Sequence, residues 1–157
     1  MLKIPSKLSV MLSTVLSIVL FCVCIAGAVV MPKFCEILIN TPDGIGSRGD
    51  ITDGGRVLVL VLAYAVLAVT MLADLLLFFI LSKVRQGKVF TDGTVSLIRG
   101  VSWCCFLLCA VFAVLGYYFQ LAFIIAFLAV FLGLCLRVVK NVIEEATRIK
   151  SENDLTV

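Results

Sequence analysis

The sequence predicts an all-α fold: an integral membrane four-helix bundle, a single membrane domain over residues 1–157, with a cytoplasmic C-terminal helical extension. Three observations predict it. The chain is 62% hydrophobic with a mean hydropathy of +1.21, whereas a soluble domain is about 45–50% apolar. Its apolar residues come in unbroken runs of the roughly 20 residues that cross a bilayer as a helix. Those runs lack the alternation of a barrel strand, and only helices or closed barrels satisfy their backbone in lipid.

The first span is residues 8–31. Its basic start resembles a signal peptide, but the apolar run exceeds the usual signal core of about 7–15 residues, and Met31, Pro32 and Lys33 replace a small-residue cleavage site. An uncleaved anchor is expected. Residues 32–56 form an outer loop. The second span is residues 57–81, and residues 82–100 form an inner loop. The uncharged run 101–136 is too long for one crossing. It breaks at Gly116, Tyr117 and Tyr118, because tyrosine favours the membrane interface and glycine can end a helix. The third and fourth spans are therefore residues 101–117 and 121–136, followed by a tail, 137–157.

Ten of the 13 Lys and Arg residues fall in the termini and the 82–100 loop; Lys33, Arg48 and Arg56 are the rest. The rich side should be cytoplasmic, which places both termini inside. The net charge of +3 points to membrane lipid as a partner and not to direct nucleic-acid binding. Six of the seven cysteines lie within spans and read as small hydrophobes. Cys35 alone falls in the outer loop, where it should react with a membrane-impermeant maleimide.

Membrane helices associate through small residues. Ser9, Ser13 and Ser17 line the first span. Ser102, Cys105, Cys109, Ala113 and Gly116 line the third; Ala122, Ala126, Ala129 and Gly133 line the fourth. The bundle core is the plain reading of these faces, a pore or a homo-oligomer seam the sharper one. The second span places Thr70 and Asp74 on one face. An intramembrane acid costs about 2.5–3.5 kcal/mol on insertion scales and marks a functional site by default. Asp74 has three candidate fates: protonation, a hydrogen bond from Thr70, or an ion pair with Arg99 or Arg137. The readings open to it are an inter-helix clamp, a proton or ion site, or an incidental acid.

The outer loop holds decoys. Gly44, Gly46 and Gly49 match a dinucleotide fingerprint without its strand and helix, and Arg48, Gly49 and Asp50 match an adhesion tripeptide by chance. In the inner loop, Gly87 is a natural break and Thr91 can N-cap a helix starting at Asp92. The tail keeps a helical period: Val138, Val139, Val142, Ile143, Ala146 and Ile149 share one side, and Lys140, Glu144 and Arg148 pair at i,i+4 on the other. It is either a plain helix extension or a docking surface.

The stretch GKVFTDGTVSLIRGVSW and the closing ENDLTV resemble a bacterial family of four-span membrane proteins, domain of unknown function 2975. The shared features are Gly87, Phe90 and Thr91 before the third span and the terminal Asp154, Leu155, Thr156 and Val157. The resemblance implies a bacterial plasma membrane and a gene neighbourhood containing a small helix-turn-helix regulator. It supplies no catalytic residues. The function expected is therefore a membrane regulator whose inner loop and tail bind a small cytoplasmic protein through those seven residues. A small transporter or channel subunit using Asp74, and an immunity or membrane-protection protein, are the alternatives. An enzyme is not expected: there is no histidine and no nucleophile–base set. No cofactor and no metal site are expected.

Overall fold

The computed structural model describes residues 6–40, 52–87 and 90–154. Four helices account for nearly all of them: α1 (Ser6–Asn40), α2 (Asp53–Arg85), α3 (Asp92–Leu115) and α4 (Leu121–Asp154). Each is long and apolar enough to cross a membrane, so the all-α four-helix fold stands. The helices outrun the expected spans. At 1.5 Å per residue, α1, α2 and α4 are each about 50 Å long, against roughly 30 Å of hydrocarbon.

The largest departure is in α1, which runs through Pro32 to Asn40 where a loop was expected. A proline inside a helix has no N–H to donate to the carbonyl four residues back, here that of Ala28. The Tyr64 hydroxyl of α2 donates to that carbonyl at 3.1 Å. A side chain from a neighbouring helix thus satisfies the group that the proline leaves open. With α1 extended, Cys35 is not in an exposed loop: it is buried (5% exposed) with Val59, Leu115 and Ala122, one residue from each helix. The expectation of a reactive outer thiol is corrected accordingly.

At the other end, α2 stops at Arg85 because Gly87 takes a left-handed conformation (φ +71°). Its N–H closes on the Val84 carbonyl, the usual glycine termination of a helix. α3 begins at Asp92 with Thr91 in the N-cap position, and the Thr91 and Thr94 hydroxyls share a hydrogen bond at 3.0 Å. Thr94, Val95 and Ile98 are buried, so the first turns of α3 are packed rather than loose.

Packing is serial. α1 packs on α2, α2 on α3 and α3 on α4, and α1 and α4 do not approach each other backbone to backbone. The pairs Ser17–Asp74 and Ala28–Tyr64 fix an antiparallel α1–α2 register. α3 and α4 meet most closely. A Cβ on Gly116 would lie 2.8 Å from the Phe123 ring, and one on Gly133 would lie 3.2 Å from Cys105 Cβ. The Ser102 hydroxyl donates to the Gly133 carbonyl at 3.0 Å. The small-residue faces of α3 and α4 are therefore each other's partners, except Ala113, which is exposed. On α1, Ser17 is buried but Ser13 is exposed. The outward sides of all four helices carry large apolar residues such as Phe127 and Phe131, as contact with lipid tails requires.

Candidate functional site

Asp74 is 4% exposed, and the Ser17 hydroxyl donates to its Oδ1 at 2.7 Å. The pair lies at the α1–α2 interface beside an apolar cavity of about 180 Å³ lined by Ser17, Ile18, Phe21, Asp74, Leu75 and Phe78. One serine replaces one of the water contacts that the carboxyl loses in lipid, and the contact ties two helices together.

The partners expected from sequence lie elsewhere. Thr70 donates to the Val66 carbonyl of its own helix, so it does not serve Asp74. Arg99 faces Glu144 at 3.8 Å. The Arg137 guanidinium lies over the Trp103 and Phe106 rings, at 5.4 and 5.3 Å. Neither reaches Asp74: among the described residues, no ion pair to it forms. The reason is geometric, because the acid sits on the face of α2 turned toward α1. Ser17 was visible as the end of a small-residue stripe, yet nothing in the sequence pairs that stripe with the second span.

The candidate recognition residues fall in two places. Gly87 ends α2, Phe90 is 46% exposed, and Thr91 opens α3. Asp154 is the last residue of α4, and Leu155, Thr156 and Val157 lie outside the described residues. The helical tail period is real, since α4 continues unbroken from Leu121 to Asp154. Lys140 pairs with Glu144, while Arg148 pairs with Glu145 and Glu152. The hydrogen bond from Lys140 holds the Glu144 carboxyl below the ordinary carboxylate range.

Four apolar helices long enough to cross a membrane, with a buried polar pair between the first two, define a multi-pass membrane protein. More particularly, the chain belongs to the family described as "Protein of unknown function (DUF2975)", whose model matches residues 46–157. The match takes in Asp74 and the whole of α2 to α4, while Ser17 lies before it. Comparison with curated proteins and with solved structures returned no match.

Proposed function

We propose that the protein is a non-enzymatic membrane regulator that holds a small soluble protein at the cytoplasmic face of the plasma membrane. A helix-turn-helix transcription regulator is the partner class to which the family resemblance points. The basic end, which carries both termini, is cytoplasmic by the Lys and Arg bias. One observation carries the reading: α4 continues past the apolar span as a single helix, with Val138, Val142 and Ile149 on one exposed face. Ion pairs among Glu145, Arg148 and Glu152 order its flank. Apolar side chains held on a rigid helix are the usual anchors of helix-in-groove recognition. The test is co-purification from membranes at native expression, comparing the full chain with a Val142→Glu, Ile149→Glu double variant. The wild type should retain a soluble partner that the variant loses. Equal recovery from both, or no partner with either, would overturn the proposal.

A second reading, a transporter with Asp74 as its proton or cation site, is favoured by the cavity beside that buried carboxyl. It requires that Asp74→Asn abolish proton flux in proteoliposomes while leaving the melting temperature near wild type. Unchanged flux would remove it.

A further inference from the structure

A second cavity, of about 260 Å³, opens between α3 and α4 at the basic end and is lined by Arg99, Ser102, Trp103, Arg137, Lys140 and Asn141. Three cations from two helices converge on it. Glu144 offsets them in part: it pairs with Lys140 and lies 3.8 Å from Arg99. Arg137 is different. Among the described residues no carboxylate lies within ion-pair distance of it, and its guanidinium rests over two aromatic rings. The Trp103 and Phe106 rings stand edge to face at 73°, and a guanidinium whose charge is met by aromatic rings keeps N–H donors for a bidentate contact with an anion. Lys140 donates to the Asn141 side-chain oxygen, which leaves the Asn141 amide N–H groups free to donate.

The position of the cavity selects the ligand. Arg137 is the first charged residue after the uncharged run 101–136, so the cavity lies where hydrocarbon gives way to headgroups. On the membrane side its wall continues as exposed apolar surface, with Trp103, Leu107 and Leu134. A phosphate held by Arg137 and Lys140 would leave its acyl chains along that surface. We infer that this cavity is a binding site for the phosphate of an anionic phospholipid. Basic pockets between membrane helices take such headgroups. The inference rests on the membrane-spanning fold and is independent of any soluble partner.

The experiment is a titration of the full chain in detergent with phosphatidylglycerol, phosphatidylcholine or inorganic phosphate. Bound lipid is read by native mass spectrometry and stability by the melting temperature. Phosphatidylglycerol should bind saturably and raise the melting temperature, while phosphatidylcholine and inorganic phosphate should do neither. Arg137→Gln should weaken phosphatidylglycerol binding about fivefold or more, the usual worth of one cation at the surface. Arg148→Gln, a cation outside the cavity, should leave it unchanged. Lys140→Gln is the second variant, for the case that loss of the Arg137–Trp103 contact perturbs folding. Equal binding by the Arg137, Lys140 and wild-type forms, or an equal loss with Arg148→Gln, would show diffuse surface charge and overturn the site. An equal response to inorganic phosphate would overturn the lipid.

Discussion

Tyr64 serves Pro32 from a neighbouring helix, through the Ala28 carbonyl. The proline deprives Ala28 of a helical donor, and the tyrosine hydroxyl supplies one from the next helix. Hydrogen bonds between membrane helices average about 0.6 kcal/mol and reach about 1.7. Tyr64→Phe should cost within that range, measured by unfolding in mixed micelles. In a Pro32→Ala background the Ala28 carbonyl recovers its own N–H, so Tyr64→Phe should then cost almost nothing. An equal cost in both backgrounds would disconnect the tyrosine from the proline. Cys35 supplies a second residue-scale test. It lies three residues past Pro32 and is buried among all four helices. An impermeant maleimide should leave it unlabelled in the folded protein and label it once the protein is unfolded in dodecyl sulfate. Prompt labelling of the native form would place it back in a loop. The sequence alone pointed the other way, because a proline followed by a lysine reads as the end of a span. Whether a membrane helix continues through proline depends on a donor from another helix, and that is tertiary information.

Between elements, α3 and α4 approach most closely, and glycine sets the distance. The two glycines should not behave alike. A side chain at Gly116 would strike the Phe123 ring, but Phe123 is half-exposed and can swing toward lipid. A side chain at Gly133 would press on Cys105 and Phe106, which are held on the facing helix. Gly133→Val should therefore cost about 1–3 kcal/mol, the range for overpacking, and Gly116→Ala clearly less. The reverse order would mean that the α3–α4 spacing is not set at Gly133. Much at this scale was legible in the sequence. The four apolar runs, the break near Gly116 and the start of a helix at Asp92 are local signals of composition, turn chemistry and capping. The small-residue stripes also marked which faces of α3 and α4 turn toward the bundle core. What they could not give was the pairing of faces. An ion pair with Arg99 or Arg137 was one of three fates open to Asp74, yet its face of α2 looks toward α1, and Ser17 meets it there.

Across the whole molecule, α1 packs backbone to backbone on α2 and meets α3 and α4 through the side-chain cluster at Cys35. Its hold consists of the Ser17–Asp74 and Ala28–Tyr64 hydrogen bonds and the cluster at Cys35. Removing α1 would therefore turn Asp74 outward. A carboxyl that α1 now covers would face hydrocarbon, where an acid costs up to about 2.5–3.5 kcal/mol. The same substitution should then have opposite effects in the two forms. In the intact protein, Asp74→Leu removes a buried hydrogen bond, leaves the Ser17 hydroxyl unpaired and lowers stability. Without α1, it replaces an acid facing lipid with a hydrocarbon and raises stability. The forms can be compared without disturbing insertion by placing a protease site within residues 41–51 and cutting after the protein has folded. In the wild type, α1 should stay with a tagged α2–α4 fragment. In Asp74→Leu it should be released more readily, and the remaining fragment should melt higher than its Asp74 counterpart. A change of the same sign in both forms would mean that Asp74 is covered by something other than α1. The acid would then belong to a path or partner of its own rather than to the joint between the first two helices.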